Sequence, residues 1–119
     1  MKNNLILKFI ISSTLLASGC AVEPKKIVPE PYVIGQTTFH NVCAHCHGAD
    51  AMGTNKAPGL IQTKYSKETF SNKKIAKTIM NGSSSGSMPA QKNKVTQDDI
   101  KQIIKYLRYS QKDIKASIS

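Results

Sequence analysis

The chain has 119 residues, 17 of them Lys or Arg against 7 Asp or Glu, for a formal net charge of +10 at pH 7. That length suits one small domain, and with no Trp, 4 Tyr and 3 Phe its apolar core is thin. Three cysteines, an odd number, exclude a disulfide framework that pairs them all, and the basic balance points to an acidic partner, a membrane surface or nucleic acid.

Residues 1–19 read as an export signal. Lys2 is the charged start, and the apolar run from Leu5 to Ala17, broken by Lys8, Ser12, Ser13 and Thr14, is too short to span a bilayer. It ends in Leu16-Ala17-Ser18-Gly19-Cys20. This resembles the lipobox of bacterial lipoproteins, with Ala17 standing where Leu is most usual, and the resemblance implies lipidation of Cys20. The alternative is ordinary signal cleavage with an incidental Cys. Two or more acyl chains make a stable anchor, at about 0.8 kcal/mol per buried methylene. An exported protein does not meet nucleic acid, so a membrane or an acidic protein remains as the partner. Residues 20–31 then form a linker in which Pro24, Pro29 and Pro31 favour extended backbone; it is expected to hold the domain a short distance off the membrane.

A first helix is expected from about Val33, with Gly35, Phe39, Val42 and Cys43 on one face. Gly35 costs about 1 kcal/mol in a helix relative to Ala, which invites a packing reason such as close approach of another helix. His40 and His45 are expected at the surface.

The helix runs into Cys43-Ala44-His45-Cys46-His47. The pattern C-x-x-C-H reads as a c-type haem attachment site. Residues three and four apart share a helix face, so Cys43 and Cys46 can both reach one edge of a flat macrocycle while His47 turns beneath it to the iron. A thioredoxin-like pair needs a βαβ context that the helical flanks do not offer, and a zinc site needs a second Cys pair.

After the motif, residues 48–54 are small and glycine-containing and suggest a loop hugging the macrocycle. In Ala57-Pro58-Gly59-Leu60, the Pro58 carbonyl is the candidate acceptor for the second ring nitrogen of His47, which needs one to fix its tautomer; the alternative is a plain turn. Ser66 to Phe70 is expected as a short helix. Asn72 to Met80 is a firmer one, with Ile75, Ala76, Ile79 and Met80 as its stripe and Asn81-Gly82 as its stop. The run Ser83 to Ser87 is flexible by composition. The last helix starts at Thr96 with Asp99 in the place of a capping-box acid, buries Ile100, Ile103, Ile104 and Leu107, and leaves Tyr106 free to pack against the Gly35–Phe39 face. Residues 112–119 form a polar tail.

The iron's second axial ligand decides between carrier and catalyst. Met80 lies on an apolar stripe and Met52 too close to the motif. Met88 lies far enough along to wrap the ring edge and is stiffened by Pro89, so Met88 is the expected ligand. Met/His ligation raises the reduction potential and leaves substrate no place to bind.

Together these segments resemble a class I cytochrome c domain in its small bacterial form, over residues 32–111. The carrying residues are Cys43 to Gly48, Ala57-Pro58-Gly59-Leu60, Ile79-Met80-Asn81-Gly82, Met88-Pro89-Ala90 and Val95 through Arg108. The resemblance implies an all-α fold whose N- and C-terminal helices cross near Gly35, Phe39 and Tyr106. It implies one covalent haem c on Cys43 and Cys46, iron ligation by His47 and Met88, and a Pro58 carbonyl accepting from His47. The expected function is that of a monomeric electron carrier, not an enzyme, on the periplasmic side of a bacterial envelope. Lys56, Lys64, Lys67, Lys73, Lys74, Lys77, Lys92 and Lys94 would offer a docking face for an acidic oxidase, reductase or dehydrogenase. The alternatives are a haem subunit fixed in a dehydrogenase or oxidase complex, and a ligand-binding sensor or catalyst with a labile Met88.

Overall fold

The computed structural model describes residues 21–112 and residue 114; the export signal and Cys20 lie outside the described residues. Among the described residues there is no strand, and the architecture is all-α as expected. The helices are α1 (Glu30–Val42), α2 (Ala44–His47), α3 (Asn72–Asn81) and α4 (Gln97–Ser110), with short 3-10 turns at Ala49–Ala51 and Thr63–Tyr65. None is long and apolar enough to cross a membrane.

α1 begins three residues before the expected Val33, and Pro31 lies in its first turn. The first turn needs no backbone donor from proline, so the ring that was expected to exclude a helix starts one instead. Glu30 adds a favourable charge at that end. The helical bonding carries through the junction at Cys43, from Cys43 N–H to Phe39 O at 2.7 Å and from His47 N–H to Cys43 O at 3.0 Å.

α1 crosses α4 at Gly35. A Cβ there would overlap the Gln102 carbonyl and stand 2.8 Å from Tyr106 Cβ. The bare backbone is what lets the two helices touch, and it brings the Phe39 and Tyr106 rings to 5.5 Å between centroids. Ile100, Ile103 and Leu107 of α4 complete this core, and Ile75 and Ile79 of α3 join it from the side.

Both later helices are capped as local chemistry dictates. Thr96 Oγ1 accepts from Asp99 N–H at 3.1 Å, and Asp99 Oδ2 accepts from Thr96 N–H at 2.8 Å. The bond from the Thr96 backbone, then that from its side chain, hold the Asp99 carboxyl below the usual carboxylate range. Ser71 caps α3 by accepting from Lys74 N–H. The expected short helix over residues 66–70 is a turn instead. Thr69 Oγ1 bonds the carbonyls of Thr63 and Lys64 at 3.1 and 2.9 Å, taking the backbone acceptors that side chains of this type divert from helices.

The stretch before α1 is irregular, with a bend at Lys25 and Lys26, and it is held against the domain. Val28 is buried and Val22 packs on the core. The N–H groups of Lys25 and Lys26 donate to the Asp50 carboxylate at 3.0 and 3.3 Å, and Gln36 Nε2 donates to Lys26 O at 2.8 Å.

Candidate functional site

Because α2 continues the helical path of α1, Cys43, Cys46 and His47 face one side. That side is the wall of a cleft of about 490 Å³, within the ~300–1,000 Å³ range of pockets that hold small molecules and cofactors. Phe39, Ile103 and Leu107 line its apolar depth, Ile75 and Ile79 of α3 stand to one side, and Pro58 and Met88 also face it. Met80 does not serve this cleft; its sulfur lies 3.6 Å from Gln97 Nε2, at the α3–α4 contact. Four of the sequence-derived candidates, Cys43, Cys46, His47 and Met88, therefore share one space.

The loop after the motif folds back on it. Gly53 N–H donates to His47 O at 2.6 Å, Thr54 Oγ1 to Cys46 O at 2.5 Å, and Leu60 N–H to Ala51 O at 2.8 Å. This brings the Pro58 carbonyl to 2.8 Å from His47 Nδ1. A carbonyl can only accept, so Nδ1 carries the ring proton and Nε2 keeps the lone pair that can bind a metal. The loop takes positive φ at two residues other than glycine, Asp50 (+54°) and Ala51 (+59°), a conformation costing roughly 1–2 kcal/mol for each. Asp50 offsets this with its bonds to Lys25 and Lys26 and by donating its own N–H to His40 Nε2 at 3.0 Å.

His40 is thus not the expected surface residue. It is buried, with Nδ1 on Gln36 O at 2.7 Å and Nε2 accepting from Asp50 N–H. Both ring nitrogens are used inside the protein, so it cannot join Cys43 and Cys46 as a zinc ligand. The signal was available in the spacing: Gln36 and His40 lie four apart, one position beyond Gly35 and Phe39. His45 is exposed, as expected.

Two residues that sequence reasoning missed hold the segment that walls one side of the cleft. Arg108 of α4 donates from Nε to Asn72 Oδ1 at 2.8 Å, from Nη1 to Tyr65 O at 2.8 Å, and from Nη2 to Phe70 O. Burial holds its guanidinium below its ordinary value, against the opposing pull of Glu68. Gln111 Nε2 bonds Leu60 O and Tyr65 O, each at 3.0 Å. Together they pin residues 60–70, which carry Tyr65 and Phe70 to the cleft rim. Lys64 sits over the Tyr65 ring at 4.9 Å and Lys74 over Phe70 at 4.5 Å, so basic charge borders the opening.

Both cleft thiols are free. Burial, and then the neighbouring Cys46, push the Cys43 thiol up to about 12. In this geometry Cys43 is therefore the more shielded thiol and Cys46 the exposed one.

An apolar cleft, two unpaired thiols on one wall, an imidazole with its tautomer fixed and a thioether on the same space fit a covalently held haem. The comparisons with known proteins point to a cytochrome c domain. The family described as cytochrome C oxidase, cbb3-type, subunit III matches residues 31–107. A curated relative from Rubrivivax gelatinosus, described as cbb3-type cytochrome c oxidase subunit CcoP, is 36% identical over 80 residues, covering 66% of this chain and 26% of its own length. The chain therefore corresponds to about a quarter of that relative. No solved structure matches.

Proposed function

From the premise that this chain belongs to the family of cytochrome C oxidase, cbb3-type, subunit III, we propose that its 32–111 domain is a mono-haem cytochrome c that passes single electrons at the periplasmic face of a bacterial membrane. Cys43 and Cys46 would hold the haem by thioether bonds, and His47 Nε2 and Met88 Sδ would bind its iron. One-electron uptake and release is the chemistry that haem c supplies when bound. The observation that carries this reading is the convergence of those four side chains on one cleft, with the His47 tautomer set by Pro58 O at 2.8 Å.

The chain's own residues then do three things. His47 and Met88 would both bind the iron, which would leave substrate no place on it. The thioether of Met88 favours the reduced state and raises the potential. The rim lysines, Lys56, Lys64 and Lys74 among them, steer an acidic redox partner to the cleft mouth. Cys20, lipidated, anchors the chain to the membrane.

The family favours the reading in which this carrier serves as a haem subunit within an oxidase complex over one in which it diffuses alone. Co-purification with a membrane oxidase separates the two.

The ligand set is tested by absorption spectra of the reduced and oxidised protein. The wild type is expected to be red, six-coordinate and low-spin, with the far-red band of a thioether on ferric iron. Met88→Leu is expected to lose that band, bind carbon monoxide rapidly when reduced, and drop in potential by more than ~100 mV, within the ~0.8 V range that axial ligands span. A colourless wild type, or a Met88→Leu spectrum like the wild type's, overturns the assignment.

A further inference from the structure

Met88 is reached from α3 through Gly82 and a serine run, Ser83-Ser84-Ser85-Gly86-Ser87, whose composition suggests a slack connection. The loop is instead closed on itself. Ser83 N–H donates to Met88 O at 3.0 Å, and Ser83 Oγ accepts from Met88 N–H at 2.9 Å. Two bonds in opposite senses thus join the same two residues and tie both polar groups of the Met88 backbone. Gly86 N–H donates to Ser83 O at 3.0 Å, bracing the turn from within.

The closure has its own requirements. Gly82 has φ +82°, and a Cβ there would stand 2.5 Å from Met88 O. Beyond Met88, Gln91 N–H donates to Ile79 O at 2.8 Å, returning the chain to α3. Ser83 Oγ also lies 3.2 Å from Ser85 Oγ and 3.3 Å from Ser87 Oγ, and those two lie 2.8 Å apart. A hydroxyl has one proton and two lone pairs. Directing the Ser83 proton into this cluster leaves a lone pair for Met88 N–H.

We propose that Ser83 is a positioning residue for Met88, fixing its backbone so that the thioether faces the cleft and returns to the iron after each excursion. The inference rests on the reading of Met88 as axial ligand. Methionine is flexible about three side-chain bonds. With its backbone also free, the bound geometry would be one of many, and the fraction of time off the iron would rise.

The test uses the full-length, haem-loaded protein with Ser83→Ala, Ser83→Thr and Ser85→Ala. Carbon monoxide binds the reduced iron only when Met88 has left it, so its binding rate reports the open population. Ser83→Ala is expected to bind carbon monoxide at least about tenfold faster than the wild type and to lose the far-red band at a lower temperature, while helical circular dichroism melts unchanged. Ser83→Thr, which keeps the hydroxyl, is expected to restore wild-type behaviour, and Ser85→Ala to move the rate only slightly. If Ser83→Ala leaves both rate and band melting at wild-type values, or if Ser83→Thr behaves like Ser83→Ala, the positioning role is wrong while Met88 ligation stands. If the wild type itself shows no far-red band, the ligand reading and this inference fall together.

Discussion

Gly35→Ala is expected to destabilise the folded domain by about 3 kcal/mol or more, against the sign that helix propensity gives. In an exposed helix the same change stabilises by roughly 1 kcal/mol. Here the added methyl meets the Gln102 carbonyl and stands 2.8 Å from Tyr106 Cβ. Neither is the free end of a flexible side chain, so relief requires α1 and α4 to part. Parting them loosens Phe39, Ile103 and Tyr106, which with Ile100 are the largest fully buried side chains among the described residues. Overpacking a core costs about 1–3 kcal/mol where side chains can shift, and more where only backbone can. Against a total stability of roughly 5–15 kcal/mol, the loss would be plain in a urea titration followed by circular dichroism. A stabilised Gly35→Ala would mean that the helices do not cross in van der Waals contact.

Much of this arrangement is legible in the chain because its causes are local. The Ile100, Ile103, Ile104 and Leu107 stripe, with Thr96 and Asp99 at its head, defines α4 without reference to anything else. Spacing alone places Cys43, Cys46 and His47 together, and the close approach at Gly35 follows from a glycine on an otherwise apolar face. What escapes is decided by partners far along the chain. Arg108 reaches carbonyls and an amide 36 to 43 residues away, and no pattern within α4 marks it apart from any cation in a last turn. Asp50 is a loop acid until Lys25 and Lys26 are seen to bond it, and although spacing sets His40 beside the Gly35–Phe39 face, the partner of its Nε2 comes only from that loop. The serine run misleads in another way. Composition reports what a segment does when alone, and Ser83 is not alone, because Met88 offers it both a donor and an acceptor.

The second large effect expected is on folding without the cofactor. Cys43→Ala/Cys46→Ala cannot form thioethers, and stripped of haem it leaves the cleft of about 490 Å³ unfilled. At about 24 cal/mol per Å³, the coefficient for an enclosed cavity, the cost has an upper bound on the order of 10 kcal/mol, as large as the stability of most small domains. Water entering at the open rim lowers that figure. The α1–α4 contact at Gly35, Gln102 and Tyr106 lies outside the cleft lining and should survive in part. α3 and residues 60–70 face the space directly, and their closure is expected to fail first, even with Arg108 and Gln111 present to hold it. Circular dichroism of the haem-free double variant should therefore show roughly half the helical signal of the loaded wild type, and hydrogen exchange should show protection confined to α1 and α4. Full native helicity in that variant would mean that the protein core is complete on its own and that the cleft is not where its stability is decided.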